Sequence, residues 1–483
     1  MLQVLHAENF YSCPDGLDDS TQTECHVVEG TSTDHTHSPY TSKSFYGHLG
    51  RISLSAGTNL SVSSYRLGAL CLVLLFPVVI HADTLEQLIT DTLKDHPAIR
   101  NQKSQKAAAE ATVETAKWQY YPTPSINVQS KYNNPETDPS YRGDPVAVTL
   151  DLQQPLWTGG QLTAGLDKAN AGVELSNAAL EEARLQIATR VVQSYSDWLA
   201  AYQKIQLYNE SMQTYVHLND MVKHRVEEGA SSESDLVLVV SRLKSLAGDT
   251  AMAKAQMNTA IGQLEQLLNR HLSNEQLSES IAEPKPIKYD LPILLDQAIL
   301  ANPTIQKSKA QAQVQLAMID ASQANLSPQV YVRAEQQFGN ISFQNAGNDP
   351  RIFLGVTTSF GAGLSTLTAI DSAKAQYQAA LADVDTQSLM VNTQVISDFS
   401  LASNAEIRLQ VLKQSQQASE DIFKSYDRQF LAGKRTWQDT LNAVRDLISI
   451  GTQIADTQSS QLSSTWRLEI YSQGVQSVER VGQ

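Results

Sequence analysis

Two kinds of hydrophobic spacing alternate along this chain, one typical of long helices and one of short strands. Apolar or aromatic residues recur at steps of three and four, averaging 3.5, at Ile187, Val191, Tyr195, Trp198, Tyr202, Ile205, Tyr208, Met212 and Tyr215. This is the period of a coiled coil. Neither Gly nor Pro occurs from Val173 to Glu228 or from Leu364 to Ala432. The pattern predicts two very long helices, the second of roughly 100 Å, although an ordinary helical bundle would also fit it.

Four shorter segments alternate strictly between apolar and polar residues. The apolar positions are Ile126 and Val128; Val146, Val148, Leu150 and Leu152; Val330, Val332 and Ala334; and Ile352, Leu354 and Val356. Such alternation predicts strands with one apolar face, and tilted strands of about 9–10 residues can cross a bilayer. Leu150 is then expected to face lipid and Thr149 to face water. A small soluble sheet packed on the helices is the alternative.

The elements belong to a tandem duplication of a large unit. Residues 85–122 match residues 291–328 at an offset of 206, and Gly229 and Asp235 match Gly433 and Asp439 at an offset of 204. Each copy has the order helix, strand, turn, strand, very long helix, tight turn, helix. The period is too long for a solenoid of short repeats.

Four strands cannot close a membrane barrel by themselves. An open edge in lipid leaves unpaired N–H and C=O groups that cost several kcal/mol each. Strands in a membrane would therefore have to be shared between copies, and about three chains would give twelve strands. The expected fold class is α+β, with a long coiled-coil α-helical barrel and four strands per chain in a shared twelve-stranded transmembrane β-barrel.

The longest apolar run indicates export. Leu67–Ile80 has 14 residues, follows Arg66 and ends just before Ala82. It is too short for a transmembrane helix and fits a signal peptide cleaved near Ala82. Residues 1–60 fit no secretory leader, so the true translation start is expected near Leu60 or Val62. We expect an extension with a signal peptide at residues 1–82, a first channel repeat at 83–290 and a second at 291–483.

Composition and candidate chemistry argue against an enzyme. The 483 residues carry a formal charge of -15, which disfavours nucleic-acid partners, and 41% hydrophobic residues are too few for a helical membrane protein. All three cysteines precede Ala82, so a mature chain would have no thiol. His217 and His224 share a helix face, but no third ligand accompanies them. No cofactor and no metal site are expected.

At this point the sequence resembles a known family. The segment QPLWTGG at Gln154–Gly160, the Pro122 and Pro328 that close the first helices, and the two Gly-x5-Asp turns are similar to the TolC family of outer-membrane channel proteins. The resemblance covers about Thr84 to Gly474. It implies a homotrimer in the cell outer membrane, a helical tunnel across the periplasm, a periplasmic adaptor (membrane fusion) protein and an inner-membrane ABC or proton-driven transporter. The expected cargo is drugs or secreted proteins, and residues from Gln429 onward particularly resemble type I secretion channels.

The resemblance also implies a periplasmic gate at the two tight turns. Asp235 and Arg435 would be charged tie partners, Asp439 would form an acidic ring, and Gly229 and Gly433 would make the turns. Phe430 stands where the best-known members of the family have Tyr, so a hydroxyl tie is lost, and Asn442 stands where a second Asp ring is found. Asp235 and Asp439 would equally well cap the returning helices.

Five aromatic residues fall at expected junctions between helix and strand: Trp118, Tyr120, Tyr121, Trp157 and Phe360. Amphipathic rings at such junctions are typical of a membrane-interface girdle. Packing at the base of the sheet is the alternative. For the whole chain, the competing function is a periplasmic coiled-coil scaffold or adaptor-like spacer outside the membrane.

Overall fold

The structure, a computed structural model, describes residues 84–131, 143–341 and 350–481. These belong to the second of two units into which the chain divides, residues 77–483. The expected extension, signal peptide and cleavage site lie outside the described residues, as does most of each loop between paired strands. Among the described residues, no helix combines the length and the hydropathy needed to span a membrane.

Both repeats have the predicted order of elements. The first contains α1 (Leu85–Asp95), α2 (Pro97–Trp118), β1 (Thr123–Ser130), β2 (Val146–Trp157), α3 (Gln161–Glu227), α4 (Glu233–Leu268) and the short α5 (Asn274–Ser278). The second contains α6 (Leu291–Ala301), α7 (Pro303–Ala324), β3 (Gln329–Phe338), β4 (Arg351–Thr357), a 3-10 turn (Ala362–Leu364), α8 (Ser365–Leu431), α9 (Trp437–Gln473) and α10 (Gln476–Val481).

A proline divides the first helix of each repeat in two. Pro97 begins α2 and Pro303 begins α7, a position where the missing N–H would have had no helical partner. The preceding residue caps the new helix, because a backbone N–H two residues on donates to His96 Nδ1 at 3.1 Å and to Asn302 Oδ1 at 3.0 Å. The duplication has kept the cap while changing the side chain that makes it.

Helices α3 and α8 are the two longest elements of the described chain. Helices α3 and α8 have 67 residues each, which corresponds to about 100 Å. Of the predicted seam on α3, Ile187, Val191, Tyr195, Trp198, Ile205 and Tyr215 are buried, and Tyr202, Tyr208 and Met212 are half-buried. This burial agrees with the predicted coiled-coil period. Helices α4 and α9 return along α3 and α8, which makes two long helical hairpins.

An apolar core beside α1 holds α5 and the segment after it against the long helices. Trp198 Nε1 donates to Asn274 Oδ1 at 3.0 Å, and Trp466 Nε1 donates to the Glu283 carbonyl at 3.2 Å. The Ala282 N–H donates to the Tyr195 hydroxyl at 2.9 Å, and burial raises the pKa of that phenol above its usual value. The buried rings thus keep their polar atoms paired while they hold the connecting segment on the helices.

A buried ion pair joins α8 to α9. Asp398 is fully buried, and Arg467 Nε donates to its two carboxylate oxygens at 3.1 and 3.2 Å. Gln394 Nε2 donates to Asp398 at 3.0 Å, and a terminal nitrogen of Arg467 donates to Gln193 of α3 at 3.2 Å. Burial, and then the charge of Asp398, raises the pKa of the neighbouring Tyr471. This network ties both hairpins together at one level.

The four strands form one antiparallel sheet in the order β1-β2-β3-β4. Strand β2 pairs with β1 on one side and with β3 on the other, so the central pairing joins the two repeats. Within the described chain, β1 and β4 are therefore the edges of the sheet, and each carries a row of main-chain groups with no strand beside it.

Candidate functional site

The sheet presents one mostly apolar face. Residues directly opposite in the register share a face, and Ile126 lies opposite Leu150, Leu152 opposite Ala334, and Ala334 opposite Ile352. In a single chain this face is open to solvent, with Ile126 72%, Ile352 80% and Leu354 72% exposed. This arrangement matches the predicted faces. Such an exposed patch on a folded chain indicates contact with lipid or with protein.

The opposite face of the sheet carries the charges. Arg333 Nε lies 3.9 Å from Asp151 Oδ1, and a terminal nitrogen of Arg333 lies 3.7 Å from Glu335 Oε2. The guanidinium lies 5.2 Å from the centre of the Phe353 ring. Thr149 is on this face, opposite Gln337. The two faces thus differ in polarity as the walls of a water-filled membrane pore do.

The predicted girdle aromatics all occur at junctions between the helices and the strands. Trp118 ends α2, Tyr120 and Tyr121 precede β1, Trp157 ends β2, and Phe360 follows β4. Trp118 and Tyr121 are in ring contact at 5.2 Å, and the Tyr120 carbonyl accepts a hydrogen bond from Gln154 Nε2 at 3.0 Å. All five rings are at least 40% exposed. Packing at the base of the sheet therefore leaves much of their apolar surface uncovered.

At the far end of the long helices, both hairpins turn through a glycine and a capped helix. Gly229 has φ 74° and Gly433 has φ 70°, in the left-handed region that favours glycine. The Asp235 N–H donates to Ser232 Oγ at 3.3 Å while the Ser232 N–H donates to Asp235 Oδ2 at 3.1 Å. Asp439 takes the equivalent place in the second hairpin, where its N–H donates to the Thr436 hydroxyl at 3.4 Å. Ser232 and Thr436 are therefore the N-caps of the returning helices. The Asp235 side chain completes a capping box with Ser232, whereas the Asp439 side chain, within the described chain, accepts a hydrogen bond only from the Thr436 hydroxyl, at 2.8 Å.

The other predicted gate residues lie close by, but only some of them meet. Arg435 lies 3.6 Å from Asp439, and its guanidinium lies 3.7 Å from the centre of the Tyr426 ring. Gln438 Nε2 donates to Asp235 Oδ1 at 3.2 Å. Among the described residues of one chain, Asp235 and Arg435 form no ion pair with each other. Phe430 is buried, 3% exposed, and packs into the tip core.

The tip core joins the two hairpins through apolar side chains. Tyr215 and Val222 of α3, Val239 of α4, Phe430 of α8 and Trp437 of α9 belong to one buried cluster. Burial raises the pKa of Tyr215, and the charges of the nearby arginines Arg242 and Arg445 oppose the shift. The tip is therefore a packed structure and not a pair of free loops.

One contact at the tip was not foreseen from the sequence. The guanidinium of Arg225, on α3, lies 5.3 Å from the centre of the Phe430 ring. Sequence alone indicates this contact only weakly, because a basic residue in the last turn of a helix is ordinarily explained by the helix dipole.

In the described ranges, no group of three or more His, Cys, Asp or Glu side chains is placed to hold a metal ion.

Comparison with known proteins decides the family. The family model for outer membrane efflux proteins matches residues 88–270 and 294–471, most of the chain. The chain belongs to the outer membrane efflux protein family. A curated relative, the alkaline protease secretion protein AprF of Pseudomonas aeruginosa, is 20% identical over 337 residues, which are 68% of this chain and 69% of AprF.

Solved structures show the same fold. The outer membrane protein VceC of Vibrio cholerae superposes with a TM-score of 0.67 at 18% identity, over 81% of this chain and 96% of VceC. The CmeC outer membrane channel of Campylobacter jejuni gives a TM-score of 0.68 at 16% identity, over 81% of this chain and 85% of CmeC.

Membership in the outer membrane efflux protein family confirms the resemblance and the predicted fold class of helical tunnel with a small sheet. It also confirms the predicted function as an outer-membrane efflux or secretion channel, located in the outer membrane and extending into the periplasm. Family and fold are those of channel proteins rather than of enzymes.

Proposed function

We propose that three copies of this chain form one exit duct, in which twelve strands close a barrel in the outer membrane. The structure of the sheet supports this proposal. It has one exposed apolar face, one charged face, and two edges with no strand beside them among the described residues. Pairing β4 of one copy with β1 of the next would satisfy both edges at once and place the apolar face in lipid.

The proposed duct works with a periplasmic adaptor protein and an inner-membrane transporter. The similarity to AprF, named for alkaline protease secretion, supports a type I system with a protein cargo, and the family as a whole supports drug efflux as a second task. We assign the tip residues Asp235, Arg435 and Asp439 to the periplasmic gate. Asp235 and Arg435 would pair between neighbouring copies, since they do not meet within one.

Paired cysteines test the shared barrel, because residues 83–483 contain no cysteine of their own. Asn127→Cys on β1 is combined with Arg351→Cys or Phe353→Cys on β4, all on the charged face. Oxidation should give cross-linked trimers on denaturing gels of outer-membrane preparations. The matched control is Ile126→Cys with Phe353→Cys, on opposite faces, which should remain monomeric.

Failure of every same-face pair to cross-link, or equal cross-linking of the opposite-face pair, would reject the shared barrel.

The cargo is tested separately in a deletion strain. Loss of a secreted protein with unchanged drug sensitivity supports secretion as the main task, whereas the reverse supports efflux.

A further inference from the structure

The inference that follows rests on the proposed channel and concerns how its periplasmic end is held shut. Opening a tunnel at this end requires the first hairpin (α3 and α4) to move relative to the second (α8 and α9). Contacts confined to one hairpin do not resist such a movement. Contacts that cross from one hairpin to the other have to break.

Two polar contacts cross between the hairpins at the tip. Gln438, at the start of α9, donates to Asp235, at the start of α4, at 3.2 Å. Arg225, in the last turn of α3, places its guanidinium over the Phe430 ring, in the last turn of α8, at 5.3 Å. Phe430 is 3% exposed, so this ring face is shielded from water. Cation–π attraction is stronger at such desolvated sites.

The side chain of Arg225 is committed to this contact. Its Nε is buried and has no hydrogen-bond partner among the described residues. A buried donor without a partner is uncommon, and it needs compensation from another favourable interaction. The aromatic ring face supplies that interaction. Phe430 has no hydroxyl with which to bond across the hairpins, so its ring is the group that receives the arginine.

The neighbouring Arg435 makes its contacts within a single hairpin. It also lies over a ring, but Tyr426 is on α8, in the same hairpin. Its other contacts, Gln429 at 3.4 Å and Asp439 at 3.6 Å, are in that hairpin as well. Within one chain, Arg225 therefore bridges the two hairpins and Arg435 does not.

We propose that Arg225 is a gate residue of this channel, whose contact with Phe430 holds the two hairpins together in the closed state. The Asp235–Gln438 hydrogen bond acts at the same level. Three copies repeat the contact around the tunnel end, so a modest energy per copy is multiplied in the closed assembly. Removing it should raise the open probability on the order of tenfold.

A double-mutant cycle on purified trimers in planar bilayers tests the proposal. Arg225→Gln removes the charge and keeps much of the side-chain length. Phe430→Leu keeps the apolar burial and removes the ring. Each should raise single-channel open probability, and the double variant should open no more than the larger single effect. Phe430→Tyr keeps the ring and should open no more often than wild type.

Lys424→Gln is the matched control. It also removes one positive charge near the tip, but the ammonium of Lys424 pairs with Glu420 on the same helix at 2.7 Å. Its open probability should equal that of wild type. Trimer yield and thermal stability are measured for each variant, since a purely structural role would lower these without changing gating.

A second measurement does not depend on how well the Arg225 variants fold. Asp235→Cys with Gln438→Cys replaces the other crossing contact by a disulfide, and the oxidised variant should open less often than the same variant after reduction. Wild-type-like gating of Arg225→Gln, additive effects in the cycle, or a disulfide without effect on gating would overturn the inference. The proposed channel itself fails only if the wild-type protein forms neither trimers nor conducting channels.

Discussion

The buried ion pair between α8 and α9 allows the sharpest stability prediction. Asp398 is fully buried, whereas the Arg467 side chain is 21% exposed. Arg467→Met would leave a buried carboxylate with only Gln394 as a hydrogen-bond donor, at a cost of about 3–5 kcal/mol per chain. Asp398→Ala would leave a guanidinium that still reaches water and Gln193, so we expect a cost near the lower limit, about 3 kcal/mol.

The double variant distinguishes pairing from packing. Asp398→Leu combined with Arg467→Met replaces both charges by apolar groups, and such replacements are often close to neutral, within about 1–2 kcal/mol. The expected order of destabilisation is therefore Arg467→Met, then Asp398→Ala, then the double variant.

The assay is urea unfolding of purified protein in detergent, followed by far-ultraviolet circular dichroism, with the midpoint compared at one protein concentration. Lys94→Ala is the control. It breaks an exposed pair with Asp91 whose side chains are 64% and 47% exposed, worth only about 0–1 kcal/mol. If Asp398→Ala costs no more than Lys94→Ala, or if the double variant is as unstable as Arg467→Met, the reasoning from burial is wrong.

Three further predictions concern the sheet, a cap and a turn. Leu150→Arg should destabilise the membrane-inserted protein by about 2–4 kcal/mol, whereas Thr149→Arg on the charged face should be tolerated; equal loss of folded trimer would reject the assigned faces. Burial, and then the charge of Arg190, lowers the pKa of His96 from 6.5, so the unfolded chain binds its proton more readily and stability is lost as the pH falls below about 6.5. His96→Asn should keep the cap and flatten this pH dependence of the unfolding midpoint, and an unchanged slope would exclude His96 as its source. Gly229→Ala should cost about 1–2 kcal/mol through its left-handed φ, while Gly248→Ala, inside α4 with open space around it, should stabilise by about 0.5–1 kcal/mol; thermal unfolding showing the same sign for both would contradict this.

Much of the architecture followed from spacing alone. The 3.5-residue seam on α3 required a long helix packed along one stripe, because only a coiled-coil period keeps residues as far apart as Ile187 and Tyr215 on one face. Strict alternation determined the two faces of the sheet, since successive side chains of a strand point to opposite sides. The left-handed turns at Gly229 and Gly433 followed as well, because few other residues adopt that conformation at low cost.

Tertiary structure alone decided which distant side chains meet. Arg225 and Phe430 are 205 positions apart, and Asp398 and Arg467 are 69 apart. Periodicity gives the face of a helix on which a residue lies, but it does not give the axial register between two packed helices. That register depends on the summed packing of whole helices, including close approaches such as Gly451 against Leu207. The partner of each buried charge is therefore set by the fold and cannot be read from local pattern.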